Sequence, residues 1–331
     1  MEPPVRSPAT PPPTTTPPPT TTPPPTTTPP PATFTRRTAL RSGDTDGLLG
    51  RRVRTSELTR LRRGGYADSG ELAAASREDR HLALIEASAD ALGAEEVLSH
   101  VSAAVLHGLP VWDIPLGRVH ITKSRSSGGH RNSRLHTHPA PLDPAEVTTV
   151  GRYLVTSVAR TVVDLARASG FEQEVVVADA ALHRGLVQPA ELQAELAKVH
   201  RRHGASMARQ VVAFASPLSE SVGESRSRVL FDRHGLPRPT EQFEVVDADG
   251  HPCGRADFAW EDGRLVGEFD GYVKYEKLLR PGESSGQAVF REKRREDSFR
   301  EAGSVVIRWV WADLDEPAAL VRRLGRALKK L

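Results

Sequence analysis

The chain has 331 residues, room for two or three domains, and a formal net charge of only +3, so any surface for an anionic partner must come from local clustering. No apolar run approaches the roughly 18 residues needed to cross a bilayer, and the N-terminus lacks the charged and apolar regions of a secretory signal, so a cytoplasmic protein with no membrane partner is expected. The single cysteine, Cys253, excludes an internal disulfide framework and a cysteine-based zinc site; it reads as a small strand residue.

Residues 1–34 repeat Pro-Pro-Pro-Thr-Thr-Thr and hold 15 of the 27 prolines. Without apolar periodicity this stretch is expected to be a disordered Pro/Thr-rich tail, extended and polyproline-like. It reads either as a flexible tether or as untranslated upstream sequence joined to the gene by an early start codon.

Residues 35–68 follow as a short basic unit. Arg36 to Arg41 predicts a helix, Ser42-Gly43-Asp44 a turn, Thr45 to Arg54 a second helix, and Leu58 to Tyr66 a strand pair. That order predicts a winged helix-turn-helix. Nine arginines between Arg36 and Arg63 face only Asp44, Asp46 and Glu57, an excess of six that suits phosphate binding. The candidate DNA-binding residues are Arg51, Arg52 and Arg54 on the second helix and Arg60, Arg62 and Arg63 on the wing. Part of the excess reflects a general taste for arginine, 38 against 7 lysines. A small appendage packed on the next domain is the competing reading.

A mixed α/β domain is expected over 77–203. His81 to Leu92 and Val97 to Leu106 have helical spacing, Arg118 to Thr122 alternates as a strand, and Ser157 to Ala168 and Glu174 to Gly185 are helical again. Lys123 to Arg134 reads as an exposed basic loop. His120, His130, His136 and His138 suggest a metal because His136 and His138 share a strand face, but no third ligand stands at a defensible spacing, and surface histidines are the default.

Residues 217–331 carry the most informative pattern. A helix over Glu220 to His234 and a strand over Glu241 to Val246 lead to Arg255-Ala256-Asp257-Phe258-Ala259-Trp260 and Leu265-Val266-Gly267-Glu268-Phe269-Asp270-Gly271. A basic helix, Phe290 to Ala302, and the alternating stretch Val305 to Trp311 close the chain. Strand interiors disfavour carboxylates, and burying them unpaired is costly. A four-residue hairpin loop, Glu261 to Arg264, would set Asp257 opposite Glu268 with Asp270 on the same face; a three-residue loop would send Asp257 to the other face. Converged, Asp257, Glu268 and Asp270 form an oxygen-only metal site for Mg²⁺ or Mn²⁺. Pairing with nearby arginines is the alternative.

Two family resemblances then appear. Gly223-Glu224-Ser225-Arg226-Ser227-Arg228, the pair Asp257-Phe258, Glu268-Phe269-Asp270-Gly271 and Lys293-Arg294-Arg295-Glu296-Asp297 resemble the uncharacterised group related to the very-short-patch-repair endonuclease, within the PD-(D/E)XK superfamily. Arg63-Gly64-Gly65-Tyr66-Ala67, Ser99 to Leu109 and Val119-His120-Ile121-Thr122 resemble the AbiEi-type antitoxins. Together the resemblances imply an α+β multidomain protein with a restriction-endonuclease-like C-terminal domain. In that frame Glu224 is the carboxylate of the opening helix, Asp257 the metal ligand of the second strand and Glu268 the acid of the third, with the cation activating water. Asp270 stands where the superfamily places lysine, so Lys274 or Lys293 would have to take that catalytic role, or Asp270 is a further ligand or a mark of lost activity.

Two functions stay open: a DNA-binding protein with a Mg²⁺-dependent endonuclease-like domain, and a non-enzymatic AbiEi-like regulator with a degenerate nuclease fold, partnered by a nucleotidyltransferase toxin. Since winged-helix proteins often read paired half-sites, a homodimer is also an expectation.

Overall fold

The computed structural model describes residues 30–93, 96–124, 128–271 and 285–331. Among them lie 13 α-helices and three β-sheets, a mixed α/β architecture, and no helix is long and apolar enough to cross a membrane.

The N-terminal unit runs β1 (Thr33–Thr35), α1 (Arg36–Arg41), α2 (Asp46–Arg54), β2 (Leu58–Arg62), β3 (Gly65–Asp68), α3 (Ser69–Ala74) and α4 (Arg77–Ser88). Threonines start both of the first helices: Thr35 Oγ1 accepts the Thr38 N–H and Thr45 Oγ1 that of Leu48, satisfying amides that a helix start leaves free. Both strands pair antiparallel with β3 in the order β1-β3-β2. Strand β1 has no counterpart in the sequence reading; three residues are too few for periodicity to show. Ala39, Leu49, Leu58 and Tyr66 form the small core beneath the helices.

The central unit contains β4 (Val97–Leu98), α5 (His100–Leu106), β5 (Val119–Lys123), β6 (His130–Arg131), β7 (Leu135–Pro139), β8 (Val147–Val150), β9 (Tyr153–Thr156), α6 (Val158–Ala166), α7 (Phe171–His183), α8 (Pro189–Lys198) and α9 (Ala205–Phe214). Its six strands are ordered β6-β7-β5-β4-β9-β8. The sequence reading of Val97 to Leu106 as one helix is corrected at its start. Val97 and Leu98 pair with Thr122 and Ile121 of β5, and Leu98 also pairs with Val155 of β9. Two apolar residues fit either period, and sheet pairing decides. The expected loop Lys123 to Arg134 likewise contains a short strand, β6, paired with β7; residues 125–127 lie outside the described residues.

A large apolar core joins helices α5 to α9 and includes Val229, from the first helix of the C-terminal unit. That unit comprises α10 (Val222–Arg233), β10 (Thr240–Val246), β11 (Pro252–Trp260), β12 (Leu265–Phe269), α11 (Ser285–Glu301), β13 (Val305–Trp309), α12 (Trp311–Asp315) and α13 (Ala318–Leu328). The sheet order is β10-β11-β12-β13, antiparallel except for the parallel pair β12–β13. One face packs Phe258, Trp260, Leu265, Phe269 and Trp309 against α10 and α13; Ala259 and Val266 on the other meet Phe299 of α11. Trp311 begins α12, so the alternating run ends as a strand at Trp309.

Candidate functional site

The hairpin between β11 and β12 has the four-residue loop, with Trp260 opposite Leu265 and Phe258 opposite Gly267. Continuing that register places Asp257 across from Glu268, and Asp257 Oδ2 accepts the Phe269 N–H at 2.8 Å. Among the described residues, two cations converge on Glu268. This buried carboxylate meets Arg295 Nη2 at 2.8 Å and Arg308 Nη2 at 3.0 Å, and Arg308 also reaches Glu296 at 3.3 Å. Arg295 is fixed in turn by donating to the Arg255 carbonyl at 2.8 Å. Asp270 is half-buried just past the end of β12, its N–H donating to the Trp309 carbonyl. Among the described residues, three metal-ligating atoms lie within 4.8 Å of one another at His100, His120 and His138 and at Asp247, Asp249 and His251, but not at Asp257, Glu268 and Asp270. Lys293 is exposed on α11, and Lys274 lies outside the described residues.

Glu224 is buried at the start of α10. Ser221 Oγ accepts the Glu224 N–H and lies 2.6 Å from Oε1, while Oε2 accepts from the Glu220 N–H and from Gln242 Nε2, each at 2.9 Å. That arrangement secures a helix N-terminus. The neighbouring motif residues have packing and pairing tasks of their own. A Cβ on Gly223 would fall 1.9 Å from Phe269 Cε1, so only glycine lets α10 lie this close to β12. Ser227 Oγ donates to the Gly223 carbonyl and accepts from Trp309 Nε1, both at 2.7 Å. Arg226 bridges to Glu172 and Asp315 and lies over the Trp112 ring at 4.1 Å. Arg228 meets Asp179 at 2.7 Å and Glu241 at 3.1 Å, not Glu224 four residues before it. Its Nη2 also donates to the Phe214 carbonyl.

At the N-terminal unit the nine arginines separate into two groups. Arg36 pairs with Asp46, Arg52 with Glu57, and Arg62 donates to the Ala87 and Ser88 carbonyls at the end of α4. Arg37, Arg41, Arg51, Arg54, Arg60 and Arg63 are exposed, and none has a carboxylate partner among the described residues. Of the six predicted DNA-binding residues, Arg51, Arg54, Arg60 and Arg63 therefore present free charge, whereas Arg52 and Arg62 are tied back to the protein.

The histidines show what linear spacing missed. His130 is exposed on β6, but His120 of β5 and His136 and His138 of β7 share one face of the parallel pair, with His120 registered on His136. His100, the first residue of α5, completes the group: its ring stacks on His138 with centroids 3.7 Å apart. Centroids of His136 and His138 are 3.9 Å apart, and His138 Nε2 lies 3.2 Å from His120 Nδ1. Burial, reinforced by the neighbouring imidazoles, holds His120 down to about 3 and His138 to about 2, and holds buried His100 well below the ordinary value, so the cluster is neutral at pH 7. A cavity of about 480 Å³ opens beside His100 and His138, with Asp164, Arg167, Arg202 and His203 on its wall.

Compared with known proteins, the chain is 32% identical over 187 residues to two uncharacterized proteins of Mycobacterium tuberculosis, from strains CDC 1551 and H37Rv. The matched stretch is 56% of this chain and 66% of each relative. No family model matches.

Proposed function

We propose that this chain is a DNA-binding regulator that docks through its N-terminal unit, read as a winged helix-turn-helix. The observation that carries this reading is the set of six exposed arginines without carboxylate partners among the described residues, on a 28-residue stretch from Arg36 to Arg63. Helix α2 supplies Arg51 and Arg54, and the β2–β3 hairpin supplies Arg60 and Arg63, the two elements that such modules lay against a groove and its flanking phosphates. Two of the arginines that stay paired, Arg36 and Arg62, tie the unit to itself and to α4.

Fluorescence anisotropy with labelled duplex DNA at several salt concentrations tests this. Six phosphate contacts give log K against log salt a slope of about −5. The double variant Arg51→Ala, Arg54→Ala should bind more weakly and reduce that slope by about 2. Unchanged affinity and slope in the variant would end the reading.

A second reading, Mg²⁺-dependent phosphodiester cleavage, draws on the helix, three-strand meander, helix, strand order of the C-terminal unit and on Asp257 facing Glu268 across the hairpin. The regulator is preferred because Glu268 is held by two guanidinium groups, which a cation would have to displace. An AbiEi-like regulator with a nucleotidyltransferase toxin as partner fits the same surface. Incubating supercoiled plasmid with the protein and Mg²⁺ or Mn²⁺ distinguishes the two. Cutting that disappears in Asp257→Ala, Glu268→Ala would establish the nuclease.

A further inference from the structure

We propose that His100, His120 and His138 bind a divalent transition metal, zinc being the best match, at the junction of α5, β5 and β7. The ligand set comes from three separate segments, and one nitrogen from each lies within 4.8 Å of the others. Tetrahedral zinc with Zn–N bonds of 2.0–2.1 Å separates two ligand nitrogens by about 3.3 Å. His138 Nε2 and His120 Nδ1 are 3.2 Å apart, so drawing them onto one ion needs little movement. The three donors are all imidazole, which suits zinc, copper or nickel and not the oxygen-seeking Mg²⁺ or Ca²⁺.

The supporting shell has the form a metal site requires. Ser99 Oγ engages His100 Nδ1 at 3.0 Å, which leaves Nε2 for an ion. The backbone of His120 is pinned on both sides: its carbonyl accepts the Ser99 N–H at 3.0 Å, and its N–H donates to Ser102 Oγ at 2.8 Å. Ser102 is itself fixed by buried His81, whose other ring nitrogen lies 2.8 Å from the Leu116 carbonyl. His100 adopts φ +51°, a left-handed conformation rare outside glycine. Strain of this kind gathers at functional sites, and here it occurs in a residue whose ring lies in the cluster. With three protein ligands, the fourth position would be open to solvent through the adjoining cavity, as in sites that exchange a ligand.

The test uses the full chain without a histidine tag. Metal content is measured after purification from zinc-supplemented medium and dialysis, and metal-free protein is titrated with Co²⁺ while its visible absorption is followed. One zinc per chain, and the visible bands of Co²⁺ in a low-coordinate nitrogen site, are expected. The conservative variant His138→Gln and the double variant His120→Ala, His138→Ala should lose both signals. His251→Ala, which disables the exposed Asp247, Asp249, His251 group, should keep full stoichiometry. Wild-type protein that takes up neither zinc nor cobalt would overturn the proposal and leave the cluster as a stack of neutral imidazoles. Metal lost in His251→Ala, or retained in the double histidine variant, would overturn it as well.

Discussion

Glu174 lies in the first turns of α7, with no exposed surface and, among the described residues, no hydrogen-bond partner for either carboxylate oxygen. Burial pushes its pKa from 4.5 to about 8. At pH 7 the folded protein therefore holds a proton that the unfolded chain has released. Between about 4.5 and 8 the native state binds more protons than the unfolded state, so stability is greatest below pH 4.5 and is lost as pH rises through 8. The slope is about −1.4 kcal/mol per pH unit inside that window and the full span is at most about 5 kcal/mol. Glu174→Gln keeps the shape and removes the titration. Urea unfolding of wild type and variant at fixed pH values cancels the background from other groups. The wild type should lose about 2.7 kcal/mol relative to the variant between pH 5.5 and 7.5. A difference that stays within about 0.5 kcal/mol over that range would refute the reasoning. It would mean that Glu174 is charged throughout, held so by its place near the positive end of the α7 dipole.

Three further outcomes follow from buried contacts of α10 and α6. Gly223→Ala should destabilise by about 1–3 kcal/mol, because the added methyl must displace the Phe269 ring or the helix; the thermal midpoint measures this. Arg228→Met strips the cation from fully buried Asp179 and should cost about 3–5 kcal/mol at neutral pH. Burial already raises Asp179 to about 6, against the pull of Arg228, and losing the arginine raises it further. The penalty in Arg228→Met should thus shrink on going from pH 8 to pH 5.5, since a protonated Asp179 needs no counter-charge, and equal penalties at the two pH values would contradict this. Arg160→Ala removes the buried cation shared by Glu146 and Asp164, 2.7 and 2.6 Å away, and should also cost about 3–5 kcal/mol by urea unfolding.

What the sequence made legible follows the range of the interaction concerned. Helices α1 and α2, the hairpin β2–β3 and the four-residue loop between β11 and β12 are set by neighbours in the chain, and their patterns can be read directly. Strands β1 and β4 are not legible in the sequence because three and two residues carry no period; pairing partners more than 20 residues away define them. The place of His100 is illegible for a related reason. It precedes His120 by 20 residues in a helical pattern, and only the packing of α5 on β5 brings its ring onto His138. The repeated spacing of His136 and His138 marks one strand face, but a spacing rule cannot find a neighbour delivered by another element.

The acidic strands show the opposite limit. Register predicted which carboxylates would face one another, and the hairpin has that register, yet register carries no information about what lies above the sheet. Helix α11 and strand β13 bring Arg295 and Arg308 over Glu268, and these residues stand 27 and 40 positions further along the chain. A buried carboxylate must be neutralised by a proton, a metal or a cation, and the sequence could name the need without naming the partner. The same logic separates the arginines of the N-terminal unit. Arg52 and Arg54 look alike in sequence, but Glu57 sits within 3.5 Å of Arg52, while Arg54 has no carboxylate partner among the described residues. Charge that is answered inside the fold adds little to a partner's binding; charge left unanswered on α2 and the β2–β3 hairpin is what a polyanion would meet first.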